Sequence, residues 1–341
     1  MLRKYIESRE MHFHRRDLGR KSLPFGWGLD LVGLPPTSDA ATSLLQFASQ
    51  TLKTSDNFFH YEPTSDYRFD GEILKFPTAQ STPDEENNTV YGRVFEGSRD
   101  LGVIILPQWN CDWEGHVKLC RILQRNGVTA VRLSLPYHHS RKPPHLQRPE
   151  YMVSPNVGQT IQSARQAVVD VRRTADWLLE RGCRKLSILG TSLGSCIAFL
   201  TFAHDTRFAA GVFIHVSAYF SDVVWNGLAT NHVRRAMDGH IQSETLRNIW
   251  APISPFPFIE RLRRTDRRIL MFAGKYDPTF LPHLSQQAFN EFDRCEVPYE
   301  LHWLPCGHHT IGRFPFSALL VHRIVRFLRR ERESSPGQYR T

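Results

Sequence analysis

From residue 102 onward the chain alternates short, continuous apolar runs with longer stretches in which apolar residues recur every three or four positions. Runs of the first kind suit strands buried on both faces, and stretches of the second kind suit amphipathic helices. The rhythm therefore predicts an α/β fold, a mostly parallel central sheet with helices on both faces. The strands fall at 102–106, 128–135, 185–189, 211–217, 268–273 and 299–304. One helix ends near Asn126-Gly127, and a long one carries Ile161, Ala164, Val168, Val171, Ala175 and Leu178 on one face and stops at Gly182. A last helix is marked by the stripe Leu320, Val321, Ile324, Val325 and Leu328.

Several regions break this rhythm. Residues 1–68, rich in His, Arg and aromatic residues with one helix near 37–52, read as an N-terminal extension. Segments 69–75 and 89–95, separated by the polar loop 81–88, read as an antiparallel pair opening the sheet. Residues 218–266, with Trp225, Trp250 and the prolines between 252 and 257, read as a lid inserted over the C-terminal edge of the sheet. The polar stretch 333–341 reads as a disordered tail, which leaves 69–332 as the domain proper.

Composition narrows the class. A 341-residue chain with 41% hydrophobic and 23% charged residues has the make-up of a folded, soluble protein. The net charge of +9 comes mostly from Arg, gathered at 3–21, 261–268 and 323–332. The last group is the solvated face of the C-terminal helix. No basic patch is interleaved with aromatics and no helix-turn-helix or finger pattern occurs, so nucleic acid is not an expected partner; peripheral contact with an anionic lipid surface is the one charge-driven alternative. The six cysteines lack C-x-x-C spacing, which fits buried, reduced thiols. No N-terminal signal and no apolar run of about eighteen residues is visible, so no integral membrane segment and a cytoplasmic location are expected.

The chemistry centres on Gly190-Thr191-Ser192-Leu193-Gly194, which stands where an apolar strand gives way to a small-residue helix. Such a turn pushes a serine hydroxyl out of the sheet, and glycines remove the Cβ atoms that would clash there. The bare pattern arises by chance in roughly one chain in ten of this length, so partners are needed. They follow in order. Asp277 lies in Gly274-Lys275-Tyr276-Asp277 after the strand 268–273, and His308 lies in Cys306-Gly307-His308 after the strand 299–304. Parallel strands bring their C-terminal ends to one edge, so a nucleophile, a base and a group that orients the base can meet there.

His309 competes with His308 as the base, and Gly307, read as a bend, favours His308. Asp222 is the alternative acid, set inside the irregular insertion. Donors for a developing oxyanion are the backbone of Leu193, following the nucleophile, and of Trp109, with Gln108 as the alternative, in the loop after 102–106. The loop containing Tyr137, His138, His139 and Arg141 follows a strand at the same edge and is a candidate to line the substrate pocket. The adjacent histidines lack the spacing of a zinc site, so no metal and no cofactor are expected.

These motifs over residues 69–330 resemble the α/β-hydrolase superfamily. With the Pro136-Tyr137 loop they resemble the branch catalogued as hydrolase-domain type eighteen, and also prolyl-oligopeptidase and dienelactone-hydrolase relatives. The resemblance implies Ser192 as nucleophile, His308 as base and Asp277 as its orienter. The N-terminal extension and the lack of a His-Gly pair before Trp109 depart from the common pattern. The expected activity is hydrolysis of a small-molecule carboxylic ester through an acyl-enzyme on Ser192. A peptidase or a thioesterase uses the same groups, and a catalytically silent binding protein shares the same fold.

Overall fold

Nine strands join into one sheet in the order β1-β2-β3-β5-β4-β6-β7-β8-β9, in a computed structural model that describes residues 1–15 and 22–333. The strands are β1 (Arg68–Phe69), β2 (Ile73–Pro77), β3 (Thr89–Phe95), β4 (Ser98–Leu106), β5 (Val128–Leu133), β6 (Leu186–Thr191), β7 (Phe208–Ile214), β8 (Arg268–Gly274) and β9 (Glu300–Leu304). The β1–β2, β2–β3 and β3–β5 pairs are antiparallel, and every pair from β5 through β9 is parallel. The alternating rhythm of apolar runs is thus the rhythm of the sheet.

Side chains on the central strands divide between two cores, as the pleat requires. Ile104 and Leu106 of β4 face one core with the helices Val157–Glu180 and Leu193–His204; Val103 and Ile105 face the other with Val117–Arg125 and Phe316–Glu333. β4 sits between β5 and β6: the chain steps from β4 to β5 on one side, then crosses back past β4 to reach β6 on the other. A sheet opens a crevice at the C-terminal end of such a strand. Registers Thr191↔Ile214, Ile214↔Phe272 and Gly274↔Leu304 keep the ends of β6 to β9 level, so the loops after all four leave one edge.

Local departures from the expected elements have physical causes. The run 69–75 divides at Asp70, whose carboxylate accepts from the N–H groups of Glu72 and Ile73 and turns the chain between β1 and β2. The strand expected at 211–217 runs three residues earlier, because His215 adopts φ +62° and ends the extended backbone. Residues 1–15 hold a helix, Leu2–Arg15, where no element was expected. The rest of the N-terminal region is no loose appendage: Leu29, Leu44 and Phe59 belong to the larger core. The segment between β7 and β8 folds into short helices, Phe220–Asn226, Asn231–Met237 and Ser243–Ile249 among them. Of the expected tail only Glu333 falls within the described residues.

Much of the Arg excess is neutralised within the chain. Arg261 pairs with Asp56, Arg263 and Arg264 with Glu296, and Arg268 reaches Glu331. All six cysteines are free and buried. Among the described residues no helix is long and apolar enough to cross a membrane.

One expectation for the loop after β5 is corrected here. Arg141 is fully buried among protein partners: its guanidinium donates to Asp170 Oδ2 at 2.8 Å, to Asn87 O at 3.0 Å and to Ser134 O at 3.0 Å. Asp170 also accepts from the Thr78 hydroxyl at 2.6 Å, and burial nevertheless holds its carboxyl above the ordinary range. Tyr137 is buried beside this network, its ring edge-on to Tyr151 and its hydroxyl accepting from Gln159. Both residues tie the loop to the long helix Val157–Glu180 because a buried charge needs a partner more than a substrate does. Arg141→Ala leaves the Asp170 charge uncompensated, and the expected loss is about 3–5 kcal/mol of unfolding free energy in urea titration. A loss below about 1 kcal/mol contradicts this assignment.

Candidate active site

Ser192 occupies the single residue between β6 and the helix Leu193–His204, at φ +56° and ψ −120°. A non-glycine residue there carries roughly 1–3 kcal/mol of backbone strain, which the packing around it must over-determine. That packing is tight. A Cβ on Gly190 would lie 2.1 Å from Gly194 O, and one on Gly194 would lie 2.3 Å from Leu106 O. Two glycines thus let the helix start press against both β6 and β4. The Ser192 N–H donates to Ile214 O at 2.8 Å, and its own carbonyl accepts from the N–H and the hydroxyl of Ser195.

The strained turn aims the hydroxyl at His308. Ser192 Oγ lies 3.1 Å from His308 Nε2, and His308 Nδ1 lies 3.0 Å from Asp277 Oδ2. Asp277 Oδ1 accepts from the N–H groups of Thr279 and Phe280 at 2.7 and 2.8 Å, which fixes the carboxylate in its loop. The Phe280 ring stacks on the His308 imidazole with centroids 5.4 Å apart and planes 6° from parallel. Burial alone would raise the Asp277 carboxyl, but the imidazoles of His308 and His215 outweigh it and hold the group far below the ordinary range. Burial alone would lower His308; the Asp277 charge and hydrogen bond, with Glu10 behind them, raise it instead.

A second imidazole shares the carboxylate. His215 Nδ1 lies 2.9 Å from Asp277 Oδ2, but neither of its ring nitrogens has hydrogen-bonding geometry. Its ring sits 4.5 Å from that of His308, and burial lowers its pKa against the opposing pull of the Asp277 charge. Among the described residues, His215, Asp277 and His308 form a group whose ligand atoms lie within 4.8 Å of one another. His308 already faces Ser192 with its other nitrogen, and both imidazoles converge on one carboxylate oxygen, at 2.9 Å for His215 and 3.0 Å for His308. The sequence missed His215 because it was read as a strand residue. Its signal was a histidine directly after the apolar run 211–214, at the edge that supplies the other three loops.

Donors for an oxyanion lie opposite. As the first residue of its helix, Leu193 has an N–H with no intrahelical acceptor, left for a ligand oxygen. Gln108 and Trp109, in the loop after β4, line the same cavity. The Trp109 indole is pinned, its Nε1 donating to Pro149 O at 3.0 Å and its ring stacked on His232, so the loop cannot swing freely.

Three histidines brace this loop from behind. His138 Nε2 accepts from the Asn110 N–H at 3.3 Å, which assigns the proton to Nδ1, 2.9 Å from Pro136 O. His139 Nε2 donates to Cys111 O at 2.8 Å while its Nδ1 accepts from Ser134 Oγ. His116 Nε2 lies 3.0 Å from Thr191 Oγ1. Burial pushes His138 down to about 3, and His139 and His116 to about 4, so all three are neutral struts. His138 and His139 do line the cavity, with both ring nitrogens of each engaged by the protein.

The cavity has a volume of about 640 Å³. Ser192 and His308 stand in its wall, with Phe220, Val223 and Val224 from the segment between β7 and β8, and Lys142 and Arg148 at the polar end. Tyr137 and Arg141 do not line it. The alternatives are placed elsewhere or otherwise engaged. Asp222 forms a two-pronged ion pair with Arg247 at 2.9 Å for each contact, and the His309 ring packs on Phe13.

No family model matches the sequence, and no curated protein matches it significantly. Solved structures do. The acetyl xylan esterase from Paenibacillus sp. R4 is 15% identical at a TM-score of 0.57, over 86% of this chain and 96% of that one. Acetyl xylan esterase 1 from Thermoanaerobacterium sp. JW/SL YS485 is 13% identical at 0.56, over 88% and 95%. The Pyrococcus furiosus esterase Pf2001 is 15% identical at 0.54, over 81% and 95%. The likeness establishes that this chain has the α/β-hydrolase fold.

If His308 serves as the base for Ser192 it must be neutral to do so, and its raised pKa then sets the acid limit of Ser192 reactivity. The second-order rate of Ser192 labelling by a fluorophosphonate should rise with pH along a limb whose midpoint lies above the ordinary histidine value of 6.5. A midpoint below 6.5 contradicts the Asp277 contribution.

Proposed function

We propose that the protein is a serine hydrolase that cleaves carboxylic esters through an acyl-enzyme on Ser192. The observation that carries this reading is the unbroken chain from Ser192 Oγ to His308 Nε2 at 3.1 Å and from His308 Nδ1 to Asp277 at 3.0 Å, opening on the cavity. The names of the similar structures, esterases among them, agree with it.

In this mechanism His308 takes the hydroxyl proton as Ser192 Oγ attacks the ester carbonyl carbon. The imidazolium so formed is stabilised by the Asp277 charge, whose own pKa stays far too low for it to take the proton. The carbonyl oxygen becomes an anion received by the Leu193 N–H and a backbone N–H of Trp109 or Gln108, each donor worth about 3–4 kcal/mol of barrier. Collapse of the tetrahedral intermediate breaks the bond to the leaving oxygen, which takes the proton from His308. Water, deprotonated by the same imidazole, then attacks the acyl carbon; the bond from that carbon to Ser192 Oγ breaks, Oγ takes the proton back from His308, and the acid leaves.

The short helices between 218 and 266 act as the lid. Phe220, Val223 and Val224 bring apolar surface against the site, which suits an acyl group and excludes bulk water from the developing charge. Residues 69–332 carry every group used in these steps, with N-terminal residues such as Leu29, Leu44 and Phe59 completing their larger core.

Ser192→Ala should abolish fluorophosphonate labelling and lower kcat on a short acyl ester by a factor of about 10⁴–10⁶. Turnover unchanged in that variant removes Ser192 from the mechanism. A wild-type protein that neither labels nor turns over any of a panel of esters, thioesters and peptides is instead a silent member of the fold that binds in the same cavity. Within the panel, the ratio of kcat/KM for oxygen esters over matched thioesters and amides is expected to favour the oxygen ester.

A further inference from the structure

The helix Leu2–Arg15 lies at the far end of the sequence from the loop that carries His308, and it touches that loop directly. Glu10 is 2% exposed. Its Oε1 accepts from the Thr310 N–H at 2.8 Å and from the His309 N–H at 3.1 Å, and its Oε2 also accepts from the His309 N–H, at 3.0 Å. We propose that Glu10 is a positioning residue of the active site: its carboxylate clamps the loop 307–310 so that the His308 imidazole stands between Ser192 and Asp277. The inference rests on the reading of Ser192 as nucleophile and His308 as base.

The two N–H groups open the short helical turn Thr310–Gly312, where no preceding carbonyl can satisfy them. Left buried without an acceptor they would destabilise this conformation of the loop, so the loop depends on what Glu10 supplies. The loop is held at its other end by β9, where the Tyr276 N–H donates to Cys306 O at 2.9 Å and the Lys275 N–H to Leu304 O at 2.8 Å. His308 lies between these two anchors. Only one of them belongs to the sheet.

Two further contacts fix the clamp itself. Ile6 and Phe13 are buried on the same face of the helix as Glu10, and the Phe13 ring meets the His309 ring at 5.1 Å with the Arg313 guanidinium over it at 5.5 Å. Gly307 is the second. The bend expected there is not what requires glycine: a Cβ at 307 would lie 2.5 Å from Glu10 Cγ and 2.6 Å from Cδ. The residue beside the base is small because a carboxylate from the N-terminal helix occupies the space.

The charged and titratable groups facing His308 are Asp277 from the loop after β8, His215 after β7 and Glu10 from the N-terminal helix, with His309 as chain neighbour. Glu10 adds to the negative charge that favours the imidazolium. A purely structural contact would move stability alone, whereas a positioning contact also moves kcat and the pH profile.

The test compares Glu10→Leu, which removes both acceptor oxygens, with Glu10→Gln, which keeps one acceptor oxygen for the two N–H groups and gives up the Oε2 bond to His309. On a short acyl ester, Glu10→Leu should lower kcat by about 10- to 100-fold with KM unchanged. Glu10→Gln should stay within about threefold, because the acceptor geometry survives. In both, the acid limb of the pH profile should move to lower pH, since a negative charge beside His308 is gone. Glu7→Gln, an exposed site on the same helix paired with Arg3, should match wild type. Circular dichroism melts confirm that each variant is folded at the assay temperature. A folded Glu10→Leu with kcat within about twofold of wild type overturns the proposal. Should Glu10→Leu not fold, Gly307→Ala decides: it pushes Glu10 aside, and the same kcat loss at constant KM supports the clamp while wild-type kcat overturns it. Wild-type protein that fails to label at Ser192 sinks the nucleophile reading instead, and is told apart from failure of the clamp by that observation alone.

Discussion

The Asp277 carboxylate, buried between two imidazoles and gripped by two backbone N–H groups, is the interaction on which the rest of the site depends. A carboxylate this far from water is costly unless it is compensated, and here His308, His215 and the two backbone N–H groups compensate it. Asp277 selects the His308 tautomer with its proton on Nδ1, which leaves Nε2 as an acceptor facing Ser192. The loop geometry, the strained Ser192 backbone and the stacked Phe280 ring all serve that one orientation.

The sheet explains why four loops can meet. Aligned registers from β6 to β9 bring Ser192, His215, Asp277 and His308 to one edge, although 116 positions separate the first from the last. On the other side of the crevice the loop after β4 has no partner strand to hold it. The protein fixes it with neutral histidines instead: His116, His138 and His139 use ring nitrogens as struts, a role that burial secures by keeping them uncharged. Charge on any of them would set a cation against the buried Arg132 guanidinium, which donates to Asp112 O and Gly115 O beneath the same loop.

What was legible in the sequence was whatever rests on local pattern. Apolar periodicity located the strands, and the glycine-flanked serine, the Asp after β8 and the His after β9 stood out because each follows a buried run. Asp222 was ranked lower for lying inside the irregular insertion and His309 for the bend read at Gly307; the structure engages the first with Arg247 and the second with Phe13 and Glu10. Contacts between distant segments left no such trace. Arg141 was read as a pocket residue because its loop follows a strand at the shared edge, yet Asp170, on a helix whose periodicity said nothing of a buried acid, draws it inward. His215 was hidden by an apolar run that seemed to continue past it. Glu10 had no signal at all, since nothing local distinguishes a buried clamp from an ordinary acidic residue on a charged helix.

The most direct measurement is a crystal structure of the protein after reaction with an ester-mimicking phosphonate. Continuous density should join phosphorus to Ser192 Oγ, with the phosphoryl oxygen about 2.7–3.1 Å from the Leu193 nitrogen and His308 still bonded to Asp277. Phosphonate bound to another residue, or a Ser192 left unmodified while His308 has turned away from Asp277, would contradict the mechanism at its root.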